Sequence, residues 1–223
     1  MGRKILYLTI CMCYVFFGCS KNEDIEIDTT KKQEVKNPYF TVLQNEDKVF
    51  HGSVFFDSFG DITVPKCNFE VECLKIANLK KGTLYQIKIH NDTKYVIPEK
   101  RLTMGYFYVQ QDKIVRIWEN ENEPWNISEE CINKLKKYDS VPKYSVVVCQ
   151  NANVEDCLNE GEEGWHYYLE STGDECTSHL WYQYPQHSGY WESFKWKKNK
   201  GLISYRSGFR DGVNYIRLKR KLK

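Results

Sequence analysis

Three histidines stand close together in the C-terminal half of the chain: His166 directly after Trp165, then His179 and His187. Glu162 and Glu163 precede the first of them. Acid–base catalysis needs such side chains to converge on a substrate, so His166 and Glu163 are the first suspects for an extracytoplasmic hydrolase of glycan or peptide. Yet WHYYLE and SHLWYQY alternate as strands do, and strand histidines usually occupy ordinary faces. The chain contains no GxSxG, no HExxH, no phosphate-binding glycine loop and no cysteine in a catalytic context. Paired glycosidase carboxylates depend on the fold rather than on spacing. The motifs therefore favour a non-catalytic role, with the hydrolase as the alternative.

Two further segments could carry a ligand. The loop NVEDCLNEGEEG, Asn153 to Gly164, offers the hard oxygens that calcium or a cationic partner would take, without the fixed spacing of a calcium loop. In YWESFKWKKNKG, Tyr190, Glu192, Phe194 and Trp196 alternate onto one face. Such a face suits a barrel interior and would equally suit a sugar or peptide, with core packing the better reading. From Ser145 to Phe194 there are nine acids and no Lys or Arg, whereas Lys195 to Lys223 holds eleven basic residues and one acid. Adjacent strands carrying these segments would pair opposite charges.

The N-terminus speaks of export. Arg3 and Lys4 precede an apolar run, Ile5 to Phe17, broken only by Thr9, and Gly18 precedes Cys19. This is the layout of a signal peptide, and the run is too short for a comfortable membrane span of about 20 residues. Phe16-Phe17-Gly18-Cys19 resembles the lipobox of bacterial lipoproteins. That resemblance implies cleavage after residue 18 and acylation, palmitate included, of Cys19 as the new first residue. The polar start SKNED resembles the short acidic export tags of surface lipoproteins of the Bacteroides group. Residues 1–18 then form the signal peptide, 19–37 a lipid-anchored flexible tether, and 38–223 the folded part. The expected address is the cell envelope, on a bacterial membrane, with the outer membrane or cell surface as candidates.

Removing residues 1–18 leaves 205 residues with 30 basic and 30 acidic side chains. A neutral chain argues against nucleic-acid binding, which needs a basic excess. Aromatic residues make up 15%, and 16 of them are Tyr, as in β proteins that pack Tyr rings across a sheet. Of nine cysteines, Cys11 and Cys13 leave with the signal and Cys19 takes the lipid. Cys67, Cys73, Cys131, Cys149, Cys157 and Cys176 remain, an even set that permits three disulfides in an exported chain, with local bridges Cys67–Cys73 and Cys149–Cys157 the easiest. The alternative is buried free thiols. No cysteine–histidine spacing suits zinc, and no metal or cofactor is expected.

The elements that must position these residues are mostly strands. Period-two alternation runs through LYQIKIH, Leu102–Val109, Lys113–Trp118, Tyr144–Cys149, Trp165–Glu170, Cys176–Tyr184, Tyr190–Lys197, Leu202–Arg206 and Val213–Leu218. Turns fall at Asn91–Thr93, Gln110–Asp112, Ser171–Asp174, Asn199–Gly201 and Phe209–Gly212, and Pro98 fits only an edge or strand start. One helix is expected near residues 128–138, with Ser128 as its cap, acids in its first turn and lysines toward its end. The reading is mainly β: an antiparallel meander forming a barrel or sandwich. Its possible halves, 38–120 and 143–221, are joined by the helix. The role expected is that of an exported, lipid-anchored protein binding an extracytoplasmic protein or glycan, with an inhibitor or immunity-type lipoprotein as a third possibility.

Overall fold

The computed structural model describes residues 36–56, 62–90, 102–120, 125–150, 154–156, 163–186, 188–209 and 213–222. Its strands are β1 (Val49–Phe56), β2 (Ile62–Asn78), β3 (Gly82–His90), β4 (Thr103–Gln110), β5 (Lys113–Trp118), β6 (Lys143–Cys149), β7 (Val154–Asp156), β8 (Gly164–Thr172), β9 (Glu175–Gln183), β10 (Ser188–Lys197), β11 (Gly201–Phe209) and β12 (Val213–Arg220). The single α-helix among the described residues, α1, spans Glu129–Tyr138 between β5 and β6. All twelve strands join one antiparallel sheet, in the order β6-β5-β4-β3-β2-β1-β12-β11-β10-β9-β8-β7. Two meanders, β1–β6 and β7–β12, are fused where β1 pairs with β12, Val54 opposite Ile216. The sheet curls until β6 lies against β8 and β9, where Cys176 Sγ sits 3.7 Å from the carbonyl oxygen of Cys149. The result is the expected antiparallel β fold with one short helix, and it takes the form of a nearly closed barrel.

Alternation explains which side chains face inward. Phe50, Phe69, Ile87, Phe107, Phe194, Trp196 and Leu218 are buried in the barrel's interior cluster, while the strand neighbours His51, Glu70 and Lys219 are exposed. Apolar inside and polar outside is the reverse of a barrel immersed in lipid. Among the described residues no helix is long and apolar enough to cross a membrane.

One outer patch is apolar, formed by Leu84, Tyr108, Val115 and Ile117, and α1 covers it with Cys131 and Leu135. The helix starts as its sequence requires. Ser128 Oγ accepts a hydrogen bond from the Cys131 amide at 3.1 Å, with Glu129 and Glu130 in the first turn. It ends at Asp139, whose left-handed backbone (φ 55°) breaks the helical path. The Asp139 carboxylate then accepts a 2.6 Å hydrogen bond from the Tyr108 hydroxyl. Burial and this bond push the Tyr108 phenol up to about 12.

The end of the barrel that carries the short hairpins is closed by the segment leading into β1. Asn37 Nδ2 donates to the Gln110 carbonyl at 2.8 Å, the Asn199 amide donates to the Pro38 carbonyl at 2.7 Å, and Tyr39 Oη donates to Gly173 at 3.4 Å. Phe40 packs on Tyr85 with centroids 4.4 Å apart and the rings tilted by 38°. Gly201 allows this closure: at φ 75° it turns the chain where a Cβ would lie 3.1 Å from the Thr41 carbonyl oxygen.

Strands β1, β2 and β7 add to those read from alternation, and β2 is long enough, at 17 residues, to span the whole wall. Its course rules out the local bridge expected between Cys67 and Cys73. Both lie on this one strand six residues apart, about 20 Å at ~3.3 Å per residue, far beyond disulfide reach. Cys73, Cys131, Cys149 and Cys176 are free thiols. Cys73 is in the interior wall, where burial pushes its thiol up to about 11, and Cys131 is on the outer helix. The side chain of Cys67 lies outside the described residues. So do Cys157, His187, Cys19, the signal peptide, nearly all of the tether, Asn91–Thr93, Pro98 and most of the 153–164 loop.

Candidate functional site

The interior is layered. In the layer nearest the hairpins, Trp196 and Leu202 pack under Phe107 and Phe194, whose rings meet edge-on at 5.2 Å. One inward step higher on β5 and β10, the apolar pattern breaks. Arg116 and Glu192 face one another across the barrel, Nε to Oε1 at 3.0 Å, with both side chains fully buried. Arg116 Nε–H donates to the Met104 carbonyl at 3.2 Å, so the pair is an ionic contact rather than an aligned fork. Gly105 makes room for the guanidinium, since a Cβ there would lie 3.0 Å from Arg116 Nε. Tyr190 Oη donates to Glu192 Oε2 at 2.8 Å.

Above this pair lies an aromatic layer. Trp165 contacts Trp118 at 6.1 Å, Tyr182 at 5.4 Å and Tyr190 at 6.1 Å between centroids. Trp125 reaches Tyr190 at 6.2 Å. The Arg116 guanidinium carbon sits 5.8 Å from the Trp118 ring and 5.9 Å from the Phe194 ring, within cation–π range.

This interior has more donors than acceptors. Arg116 Nη1 and Nη2, Trp118 Nε1, Trp165 Nε1, Ser145 Oγ and the single carboxylate oxygen Glu192 Oε1 are all buried and have no hydrogen-bond partner among the described residues. Ser145 lies directly opposite Arg116 on β6. Guanidinium and indole nitrogens only donate, and buried donors left without acceptors cost about 1–3 kcal/mol each. An arrangement of this kind is complementary to an oxyanion. Burial pushes the Glu192 carboxyl above the ordinary carboxylate range, against the pull of Arg116 and of the Tyr190 hydroxyl. Burial and the same carboxylate push Tyr190 upward, and Tyr205 is raised to about 12 for the same reasons.

No protein-family model matches the chain, and comparison with curated proteins and with solved structures finds no match. The functional reading therefore rests on geometry.

The hydrolase suspects are not brought together. Glu163 accepts a 2.9 Å hydrogen bond from Tyr182, whose ring packs on inward-facing Trp165. His166 follows on the opposite face of β8, on the outer wall, buried and stacked on Trp181 at 5.1 Å and 8°. His179 is also on the outer face, where burial and Arg206 hold its imidazole below the usual histidine range. Among the described residues no group of three or more His, Cys, Asp or Glu side chains is placed to hold a metal. Glu192, by contrast, falls on the inward face with Tyr190, Phe194 and Trp196. Arg116 was not singled out in the sequence. The signal was there: a charge in KIVRIW on the same face as Ile114 and Trp118.

Proposed function

We propose that this chain is a non-catalytic binding protein of the bacterial cell envelope, held to its membrane by a lipid on Cys19. Its barrel seats a small ligand that carries a carboxylate or other oxyanion on an apolar body. The observation that supports this most is the buried guanidinium of Arg116, with two donor nitrogens unmet among the described residues, beneath a layer of Trp and Tyr rings. The oxyanion would fork onto Nη1 and Nη2, the geometry in which Arg binds carboxylates best. The indole N–H groups of Trp118 and Trp165 would add donors, and the rings would cover the apolar body. Glu192 tunes the seat. Ionised, it opposes an incoming anion; protonated, it does not. Affinity should therefore fall as pH rises through the titration of Glu192, and Glu192→Gln should bind the anion more tightly at neutral pH.

The anchor half of the proposal is tested separately. Mass spectrometry of the mature protein should find Cys19 as an acylated first residue, and Cys19→Ser should move the protein from the membrane to the soluble fraction. An unmodified first residue other than Cys19 would refute the anchor while leaving the ligand seat standing.

A further inference from the structure

The outer wall between β8 and β1 carries an order that the interior site does not use. Cross-strand register sets His166, Trp181, Trp191, Gly208, Tyr215 and Phe55 side by side, one per strand. Inward-facing Leu169, Phe194, Ile216 and Val54 on four of the same strands put this row on the outside. Gly208 is the gap in it, and the Trp191 ring fills the space: a Cβ on Gly208 would lie 2.6 Å from Trp191 Cζ2.

The next row toward the hairpins is cationic. Arg206 and Arg217 are direct cross-strand partners, both exposed. Their guanidinium carbons lie 5.8 Å from the Trp191 ring and 4.5 Å from the Tyr215 ring. Like charges placed opposite one another destabilise a sheet, and no carboxylate pairs with either arginine among the described residues. Beside Arg217, a surface pocket of about 430 Å³ is lined by His51, Gly52, Ser53, Lys66 and Asn68, without an acid among the described residues. Several acids of nearby strands are engaged elsewhere, Glu70 with Lys48, Glu72 with His90, and Glu175 with Lys195 and Lys197, while exposed Glu170 on β8 lies near His179.

We propose that this wall binds an anionic polysaccharide, with sugar rings on the Trp191–Tyr215–Phe55 row and carboxylate or sulfate groups on Arg206, Arg217 and the pocket beyond. Aromatic rings beside unpaired guanidinium groups match a chain whose residues each present an apolar face and an acid. The wall is convex, so a flexible polymer can follow it from strand to strand. A planar membrane would touch only part of it. This site lies on the opposite side of the sheet from the Arg116 seat and stands or falls without it.

The test is titration of the mature protein with polygalacturonate, using neutral dextran, polyglutamate and phosphatidylglycerol vesicles as comparison probes. Polygalacturonate should bind in preference to all three. Arg206→Ser/Arg217→Ser should weaken it by about tenfold or more with unchanged melting temperature or a slight gain. Trp191→Tyr and Trp191→Ala should weaken it progressively. Equal binding of polyglutamate with no effect of Trp191→Ala would overturn the proposal in favour of an acidic peptide. Preferential vesicle binding would overturn it in favour of a lipid surface.

Discussion

Replacing Glu192 by Leu is expected to lower the free energy of unfolding by about 3–5 kcal/mol, because it strands the buried Arg116 charge without its partner. Both side chains are fully buried, so removal of either partner leaves an uncompensated ion. The double variant Arg116→Met/Glu192→Leu should recover most of that loss, or exceed the wild type by about 1–4 kcal/mol, since apolar groups of similar volume replace both charges. Denaturant unfolding of the two single variants and the double variant forms a cycle that measures the coupling. Full additivity would show that the two residues do not interact.

The pH dependence of the same site has a definite sign. The folded-state titration of Glu192 is raised above its ordinary value of 4.5. The folded chain thus keeps a proton that the unfolded chain has already released. Its contribution to stability is fully present below about 4.5 and is lost as pH rises through the raised folded value. Half-buried Glu175, held low by its hydrogen bonds to Lys195 and Lys197, contributes in the opposite sense, being lost as pH falls. Subtracting the Glu192→Gln stability profile from that of the wild type isolates the first effect as a decline with rising pH.

Trp196→Ala is the second large effect, an expected loss of about 3–5 kcal/mol. Its side chain is 1% exposed, and its ring contacts Phe107 at 5.8 Å and Phe40 at 6.1 Å. Through Phe40 it ties the segment entering β1 to the barrel wall. The void left by alanine therefore removes packing from the core and from the plug together. Hydrogen exchange should show faster opening of the amides of Phe40 and Asn199, which are bonded to Asn37 and Pro38, than in a control such as Leu135→Ala on the buried face of α1. Equal protection of the plug in both variants would show that Trp196 serves the core alone.

These two variants also mark how much the sequence disclosed. The inward face of β10 was legible because Tyr190, Glu192, Phe194 and Trp196 obey a strict period of two. The helix was legible because Ser128, its acids and its lysines follow capping and dipole rules. Strand β2 was obscured by Pro65 and by charges at Lys66, Glu70 and Glu72, which suit an outward face once the wall is known. The Arg116–Glu192 pair was hidden for a different reason. It joins strands that are not neighbours in the sheet, so only closure of the barrel brings them together. The free state of Cys73, Cys131, Cys149 and Cys176 was not legible because cysteine parity says nothing of which face each thiol takes.

The ligand seat at Arg116 is the central claim, and its most direct measurement is a fluorescence titration of the mature protein with laurate and, in parallel, with the neutral analogue dodecanol. Trp118 and Trp165 report on the site. Laurate should bind and perturb the emission, dodecanol should bind far more weakly, and Arg116→Met/Glu192→Leu, folded by its own melt, should lose the difference between them. Equal binding of laurate and dodecanol by the wild type, or undiminished laurate binding by the double variant, would contradict the assignment of Arg116 as the seat of an anion.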